Sequence, residues 1–288
     1  MAKVLHENEI KHKKRFLYIS ILALLIVGIP LQLFPHFWMF SNMFKSSIEV
    51  FQFPPSFLPD VFHLENIFEV FTKYNLFNNL YNSLVLGFGV VLIQVPISAL
   101  AAFSLSKLKP KGSKIILMFF VVTLMISQQA LLIPSFLMMH DFPVLNLNLL
   151  NTFWAVILPF TAWGWSIFVF KGFFDSIPKS LLESARIDGA SNLLIFTKII
   201  IPLSKPVFAV VILNTFNAVY RQFIFPLMML SQEEKWTLMI RVYTATEGYV
   251  PWNHIMVMLF VAMLPVLIVY VFCQDYIVEG IKTTGLKG

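Results

Sequence analysis

The residues with the greatest capacity for chemistry lie in one polar stretch, LLESARIDGASNLLIFTKIIIPLSKP, at positions 181–206. It carries Glu183, Arg186 and Asp188, with a glycine at its middle and prolines towards its end. Glu183 and Arg186 stand three residues apart, so they can pair on one face of a helix. The available chemistry is ion pairing and hydrogen bonding, which an amphipathic loop resting on lipid headgroups would also use.

Catalytic and metal chemistry has little support in the rest of the chain. There is no G-x-x-x-x-G-K-[ST] phosphate loop, no H-E-x-x-H motif and no G-x-S-x-G motif. A single cysteine, Cys273, excludes internal disulfides and cysteine-based metal sites. The GFG sequence at 87–89 lies in an apolar run with no strand before it, so it predicts close helix packing. We predict no catalytic residue, no metal site and no cofactor bound by this chain.

The composition is that of an integral membrane protein. The chain is 58% hydrophobic and 12% charged, and its mean hydropathy is +0.78. Soluble domains contain about 25% charged residues, which makes a soluble fold of this length unfavourable. The net charge of +6 fits basic cytoplasmic loops better than a nucleic-acid surface. We therefore expect membrane lipid as a partner and no nucleic acid.

Six apolar runs approach the roughly 20 residues that an α-helix needs to cross a bilayer. They predict spans at approximately 16–34, 79–105, 115–139, 152–174, 207–230 and 253–276. The first run follows KHKKR but is longer than a signal-peptide core and precedes no A-x-A site, which indicates a retained helix. The predicted fold class is all-α integral membrane with six transmembrane helices.

The distribution of lysine and arginine predicts the orientation. Most of the 21 basic residues lie in the N-terminal tail, the loops near 107–114 and 171–205, and the C-terminal tail. Basic loops favour the cytoplasmic side, so both termini are predicted to be cytoplasmic. The polar stretch at 181–206 is then cytoplasmic as well.

Local signals in the polar stretch predict a helix–turn–helix. Pro178 suits the first turn of a helix, and Asp188-Gly189 is a stop signal in which glycine can adopt the left-handed conformation. Ser191 or Asn192 opens a second short helix. Pro202 then precedes the fifth span.

Polar residues within the spans are candidates for a translocation path, because such residues usually face the bundle interior or a cavity. Amide side chains and aromatic rings suit a sugar, which offers hydroxyl groups on its edge and C–H groups on its faces. Hydrogen bonding between helices is the alternative role for any one of them. The candidates are Gln128, Gln129, Trp163, Asn214, Asn217, Tyr220, Arg221 and Gln222.

The polar stretch resembles a cytoplasmic motif of the membrane subunits of ATP-binding-cassette (ABC) importers. That motif is Glu-Ala-Ala, three residues, Gly, nine residues and Ile-x-Leu-Pro. The chain has the same spacing, with Ser184 for the first alanine and Ile201 for leucine. In such importers this coupling loop, here residues 175–206, docks on a separate ATPase subunit. The resemblance implies the ATPase-coupling residues Glu183, Ser184, Ala185, Asp188, Gly189, Ile199, Ile201 and Pro202.

Other patterns resemble the carbohydrate-uptake permeases of the maltose-transporter type. FKSSIEVFQFPPSFLPD, LENIFEVF, NNLYNSLVLG and QDYIVEGIKTTGLKG occur in that order, and the similarity runs over about residues 38–288. Three consecutive residues depart from the pattern of these permeases. Tyr220, Arg221 and Gln222 replace the usual Trp-Asn-Glu, which leaves a neutral or an acidic substrate open.

The resemblance implies a type I ABC importer transmembrane domain in the cytoplasmic membrane of a bacterium, importing a sugar or oligosaccharide. The implied partners are a second homologous permease subunit, two ATPase subunits that hold ATP and Mg, and an extracytoplasmic solute-binding protein. The expected segments are 1–78 (tail, first span and extracytoplasmic loop), 79–276 (permease core) and 277–288 (cytoplasmic tail). Alternatives are a permease for a non-sugar solute and an ion-coupled carrier, which usually shows repeats and intramembrane carboxylates that this chain lacks.

Arg221 is the unusual residue of the predicted fifth span. An arginine at a helix centre costs about 2.5–3.5 kcal/mol on insertion scales, and less towards the interface. We therefore expect Arg221 to face the interior and have a partner. That partner is a carboxylate or carbonyl of the second permease or an acidic or phosphorylated sugar; snorkelling to the outer surface is the third possibility.

Overall fold

The computed structural model describes residues 2–143 and 147–285, and within them the regular secondary structure is helical, apart from one isolated bridge between Phe142 and Leu147. The predicted all-α class is confirmed. The described residues do not include residues 286–288 of the predicted cytoplasmic tail, nor the side chains of the basic residues within 3–14. The α-helices are α1 Ala2–Asn42, α2 Glu65–Lys73, α3 Leu76–Phe103, α4 Ser113–Thr123, α5 Leu132–His140, α6 Phe153–Phe160, α7 Gly164–Asp175, α8 Lys179–Ile187, α9 Asn192–Ile195, α10 Ile201–Leu203, α11 Lys205–Tyr220, α12 Ile224–Met229, α13 Leu238–Glu247 and α14 Trp252–Gly285.

Three helical segments are long and apolar enough to cross a membrane without interruption. These segments are Leu17–Asn42, Leu76–Leu108 and Trp252–Gly280. They contain or overlap the predicted spans at 16–34, 79–105 and 253–276, and each extends further than predicted. Three bent helix pairs also pass the test of length and composition, so the described chain has up to six spans.

The predicted spans at 115–139 and 152–174 are bent pairs rather than single rods. The helical segments on either side of the first break differ in direction by 94°, and those of the second by 42°. At the first break, Ser127 restarts the helix because its Oγ accepts the Gln129 N–H at 3.3 Å. At the second, Pro159 lies in the last turn of α6 and removes a backbone donor.

The predicted span at 207–230 differs most from the structure. α11 ends at Tyr220, and α12 starts only at Ile224, two residues before Pro226. The helical segment before α11, Asn192–Leu203, meets it at 82°, so the two cannot share one axis. α11 alone is about 24 Å long, which is shorter than the roughly 30 Å hydrocarbon core.

The described residues fall into two compact units, and the first comprises those of 1–70 and 249–260. At its centre lies Lys45, whose Nζ donates to the Ser56 carbonyl at 2.6 Å and stands 4.8 Å from the centre of the Trp38 ring. The side-chain amides of Asn66 and Asn253 donate to the Lys45 carbonyl at 3.0 and 3.1 Å. Burial lowers the pKa of Lys45. The unit therefore organises its polar groups around one buried lysine.

The second unit comprises the described residues of 71–248 and 261–288, and α3 is its central helix. α3 packs against α7 and α11. A Cβ on Gly87 would lie 2.8 Å from the Phe216 ring, and one on Gly89 would lie 3.1 Å from Ile157. The helix-packing role predicted for the GFG sequence is confirmed.

One amide joins the three helices of this core. Gln94 on α3 donates to the Ser166 Oγ of α7 at 2.6 Å, and its Oε1 accepts the Thr215 hydroxyl of α11 at 2.8 Å. All three residues are buried. Since lipid supplies no alternative hydrogen-bonding partner, this network stabilises the mutual arrangement of the helices.

Two π-helical segments contribute buried residues to this core, one before the loop at 109–112 and one within the coupling loop. They are Ser104–Leu108, directly after α3, and Phe196–Ile200, between α9 and α10. Their neighbouring rings, Phe103 and Phe196, lie 5.2 Å apart between centroids. Such segments often occur at functional sites.

We predict that Gln94→Leu lowers the free energy of unfolding by about 1–3 kcal/mol, because the hydroxyls of Ser166 and Thr215 lose their shared partner. Thermal unfolding of the detergent-purified protein measures the change. Ser98→Ala is the matched control. Ser98 lies one turn further along α3 and is buried, and in the described part of the chain its Oγ has no hydrogen-bond partner. Equal losses in the two variants would contradict the role of the network.

Candidate functional site

The coupling loop has the helix–turn–helix backbone predicted for it. α8 ends in a Schellman turn, in which the Ala190 N–H donates to the Ala185 carbonyl at 2.9 Å. The Gly189 N–H donates to the Arg186 carbonyl at 3.0 Å, and Gly189 has a φ of +80°. This conformation is costly for residues with a Cβ, so the glycine is a requirement of the turn.

The second helix of the loop begins at Ser191. Its Oγ accepts the Leu194 N–H at 3.3 Å, which identifies Ser191 rather than Asn192 as the N-cap. The helical segment then continues through the π-helical residues and α10 to Leu203, and Ser204 separates it from α11. Pro202 is exposed in this last turn.

One face of the loop is anchored in the core of the second unit. Leu182, Ile195, Phe196 and Ile200 are buried there. Of the predicted coupling residues, Ala185, Ile199 and Ile201 pack against the same core. These three residues therefore hold the loop on the membrane domain.

The other face of the loop combines apolar and charged side chains. Leu181, Leu193 and Leu194 are exposed, and Ile187 is 86% exposed. The predicted coupling residues Glu183, Ser184 and Asp188 are also exposed. No ion pair joins Glu183 to Arg186 among the described residues, so the predicted pairing on one helix face is not present. Within residues 2–143 and 147–285, the Glu183 carboxylate forms no salt bridge, so it is available to another molecule.

Three helix interruptions meet at one cavity of about 560 Å³ in the second unit. The cavity is lined from the breaks that follow α4, α6 and α11. Irregular backbone at membrane depth is tolerated where it lines a cavity, and transporters use such broken helices at their substrate sites. The interruptions that the sequence did not predict are thus explained by the space that they surround.

Four of the eight predicted path residues line this cavity. Gln128 and Gln129 come from the first break, Trp163 from the second and Gln222 from the third. The Gln222 side-chain amide donates to Gln128 Oε1 at 3.1 Å. The rings of Trp163 and Trp165, which both line the cavity, lie 5.3 Å apart with 34° between their planes. Residues from three separate helices are therefore brought together.

The lining can bind hydroxyl groups and C–H surfaces. Among the residues that the structure describes around the cavity, none carries a charge. The glutamine amides can both donate to and accept from hydroxyl groups, and the indole rings offer flat apolar faces. Apolar walls with a few convergent polar groups are typical of small-molecule sites.

The other four predicted path residues do not line the cavity. Asn214 is exposed and donates to the Val210 carbonyl of its own helix at 2.9 Å. Tyr220 is buried with its ring stacked on Phe216. In the described part of the chain, neither the Tyr220 hydroxyl nor the Asn217 Oδ1 has a hydrogen-bond partner. Of these residues, Tyr220 belongs to the helix packing of α11, and Asn214 bonds within its own helix.

The predicted placement of Arg221 inside a continuous span is wrong, whereas its expected partner, on a second permease subunit or an acidic substrate, stays a prediction. Arg221 is exposed, and its guanidinium has no hydrogen-bond or ion-pair partner within residues 2–143 and 147–285. The reason is that α11 ends at Tyr220, so Arg221 lies at the C-cap rather than within a span. A cation is favourable at this position because the helix dipole is negative there.

Comparison with known proteins identifies the family. Residues 94–283 match the family described as the binding-protein-dependent transport system inner membrane component. This match includes the coupling loop and every break that lines the cavity. The chain belongs to this family. It is therefore a multi-pass protein of the inner membrane and a transporter subunit rather than an enzyme.

Individual permeases of the family are similar over nearly the whole chain. The chain is 31% identical over 280 residues to the trehalose/maltose transport system permease protein MalG of Thermococcus litoralis, covering 92% of this chain and 96% of that protein. It is 30% identical over 263 residues to the arabinooligosaccharides transport system permease protein AraQ of Bacillus subtilis, covering 90% and 92%. The predicted resemblance to carbohydrate-uptake permeases is confirmed.

The fold is also that of a solved transporter. The crystal structure of a bacterial ABC transporter involved in the import of the acidic polysaccharide alginate contains a chain with a TM-score of 0.78 and 24% identity. The alignment covers 92% of this chain and 97% of that one. The predicted ABC importer permease fold is confirmed.

Sequence reasoning missed two groups of residues in this permease. It did not select the exposed apolar residues Leu181, Ile187, Leu193 and Leu194. In a chain that is 58% hydrophobic, residue type alone does not show which apolar side chains are exposed. It also passed over Gln94 and Ser166, although a polar residue within an apolar span is itself a signal.

We predict that Gly164→Ala destabilises the wall of the cavity. A Cβ on Gly164 would lie 2.5 Å from the Phe120 carbonyl oxygen and 2.7 Å from the Thr123 Oγ1, so α4 and α7 must separate. We expect a loss of about 1–3 kcal/mol in the free energy of unfolding, measured by thermal unfolding in detergent. Gly172→Ala on the same helix is the control, since nothing lies within 4 Å of its Cβ position. Unchanged stability of Gly164→Ala would show that the helices do not approach this closely.

Proposed function

We propose that this chain is the permease subunit of an ATP-driven importer that moves a sugar or oligosaccharide across the cytoplasmic membrane. The names of the trehalose/maltose and arabinooligosaccharide permeases support a carbohydrate substrate. The cavity supports it independently, because paired tryptophan rings and three glutamine amides match the C–H faces and hydroxyl edges of a sugar. An importer of a non-sugar solute is the competing proposal.

The observation that carries the coupling role is the outward face of the coupling loop. It combines exposed leucine and isoleucine side chains with the exposed carboxylate of Glu183, which lies on α8 before the turn at Gly189. Such a surface suits a cleft on a separate ATPase subunit, in which apolar contacts supply affinity and a charge pair fixes register. Gly189 shapes the turn, and Ala185, Ile199 and Ile201 hold the loop on the membrane domain.

The remaining coupling residues have supporting roles in this proposal. Asp188 and Ser184 supply polar contacts beside Glu183, and Pro202 ends the loop before the direction changes by 82° into α11. Movement of an ATPase subunit reaches the cavity along α11, which starts beside the loop and ends beside Gln222. ATP and Mg are held by the ATPase subunits.

The complete assembly contains, in this proposal, two ATPase subunits, a second homologous permease and an extracytoplasmic binding protein. The family description itself names dependence on a binding protein. The basic loops support a cytoplasmic position of both termini and of the coupling loop. The segments 1–78, 79–276 and 277–288 then correspond to the first span with its extracytoplasmic loop, the permease core and a cytoplasmic tail.

Arg221 distinguishes two classes of carbohydrate. The cavity lining carries no charge and suits a neutral sugar. Arg221 directly precedes Gln222, which lines the cavity, and its exposed guanidinium can bind a carboxylate or phosphate with two parallel hydrogen bonds. An acidic oligosaccharide would use both the cavity and this cation.

Coupling is tested by Gly189→Pro and Glu183→Lys. Proline cannot adopt the positive φ and lacks the N–H that the Arg186 carbonyl accepts, and lysine reverses the charge of the docking surface. We expect uptake to fall by about tenfold or more, equivalent to at least 1.4 kcal/mol, while the membrane level stays at that of the parent. Uptake of labelled substrate in cells that express the whole transporter measures this.

Two controls match these variants. Gly189→Asn keeps a residue that tolerates the left-handed conformation, and Lys111→Glu reverses an exposed charge in another predicted cytoplasmic loop. Both are expected to transport. If Gly189→Pro and Glu183→Lys transport at the parental rate, the coupling role of this loop is excluded.

The substrate role of the cavity is tested by Trp163→Ala and Arg221→Ala. Loss of an aromatic contact is worth about 0.5–1.5 kcal/mol, so we expect Trp163→Ala to lower uptake of neutral and acidic oligosaccharides by about three- to tenfold. Arg221→Ala should lower uptake of the acidic ligand alone. Trp154→Ala is the control, because Trp154 is exposed on α6 and does not line the cavity. Equal uptake by the parent and both variants would remove the cavity from the substrate path.

A further inference from the structure

The segment between α1 and α2 has its polarity reversed relative to a loop in water. Two of its charged residues are inside, since Lys45 is 1% and Glu49 8% exposed, whereas Asp60 is exposed. Its apolar residues are outside, with Ile48 86% and Phe53 93% exposed. Other large side chains on the same surface are exposed, namely Phe51, Phe57, Leu58, Val61 and Phe62. Water-facing loops place these residue types the other way round.

The buried polar groups of this segment find their partners within the protein. Lys45 Nζ donates to the Ser56 carbonyl, and Glu49 Oε1 accepts the Ser56 hydroxyl at 3.2 Å and the Asp60 N–H at 2.9 Å. Polar groups that are satisfied in this way do not need water. Residues 46–59 can therefore enter an apolar environment without exposing a charge to it, and the exposed Asp60 directly follows them.

The segment also folds back along the first span. Its Phe57 ring lies 6.3 Å from both Phe34 and Trp38 of α1, and its Phe57 carbonyl accepts the Ser41 hydroxyl at 2.5 Å. Phe34 precedes the end of α1 at Asn42 by eight residues, which is about 12 Å along the helix axis. Phe57 is thus level with the apolar part of a membrane-spanning helix rather than beyond its end.

We propose that residues 46–59, the aromatic segment, insert into the membrane leaflet at the Asn42 end of α1 and bind lipid. Between residues 46 and 59, all of them described, no exposed side chain is charged. Aromatic side chains are enriched at membrane interfaces, and the adjoining α1 already exposes apolar side chains such as Leu24 and Leu31. The exposed side chains of residues 46–59 are mostly apolar and none is charged, which suits lipid better than the polar and charged rim of a reversible protein interface. The inference is independent of the substrate and of the coupling role.

The test measures the surroundings of position 53 directly. The Phe53→Cys, Cys273→Ser double variant is labelled with a nitroxide in the assembled transporter, which is then reconstituted in phospholipid nanodiscs. Collision of the label with oxygen reports lipid, and collision with a water-soluble nickel complex reports water. Leu24→Cys on α1 is the lipid-exposed reference, and Gln232→Cys, at an exposed polar position, is the aqueous reference.

We expect the oxygen-to-nickel ratio at position 53 to match position 24 and to exceed that at position 232 several-fold. A ratio like that of position 232 would overturn the proposal, because the surface would then face water. Protection from both reagents would overturn it too, because a protein such as a second permease or the binding protein would then cover the surface. Ile48→Cys repeats the measurement in case Phe53→Cys impairs folding.

A polar variant adds a second readout. In the Ile48→Cys, Cys273→Ser background, Phe53→Asp should lower the oxygen-to-nickel ratio of the label, because a carboxylate draws the segment towards water. Phe53→Leu is the matched apolar control and should leave the ratio unchanged. Equal ratios in the two variants would mean that lipid does not hold the segment, and the proposal would fail.

Discussion

The arrangement of the permease core depends on the amide of Gln94. A glutamine in an apolar span is tolerable only if both ends of its side chain are bonded, and here they are bonded to α7 and α11. α7 begins at the second helix break and α11 ends at the third. The amide therefore ties together the helices that carry these two breaks, and the uncharged cavity between the breaks follows from this arrangement.

The same two helices connect the cavity to the coupling loop. α7 runs from Gly164 beside the cavity to Asp175 at the start of the loop, and α11 returns from Lys205 at the end of the loop to Tyr220. The loop is thus the covalent link between two helices whose far ends border the cavity. Its inner face is packed into the same core. In the proposed coupling role, displacement of its outer face would therefore be transmitted to packed helices.

Much of this arrangement is predictable from the sequence, for identifiable reasons. Apolar runs and basic loops predict the number of spans, and Pro178, Gly189 and Ser191 predict the shape of the coupling loop because each has a strong local conformational preference. The breaks at 124–127, 161–163 and 221–223 were not predicted, since hydropathy is equally high on both sides of each break. The placement of Arg221 inside a continuous span has the same origin, because the sequence did not show that the helix ends at Tyr220. Composition cannot predict the reversed polarity at 46–59, since it depends on which side chains point inward.

The π-helical residues Phe196–Ile200 have a consequence for the helical phase of the coupling loop. A π turn closes from residue i to i+5, so it holds one residue more than an α turn and rotates everything beyond it by about 100° at 3.6 residues per turn. Leu193 and Leu194, before this offset, lie outside, whereas Ile200, at its end, is buried. The mainly apolar residues 193–201 thus serve two surfaces. The number of residues in the loop, and not only their types, determines which side chains a partner can reach.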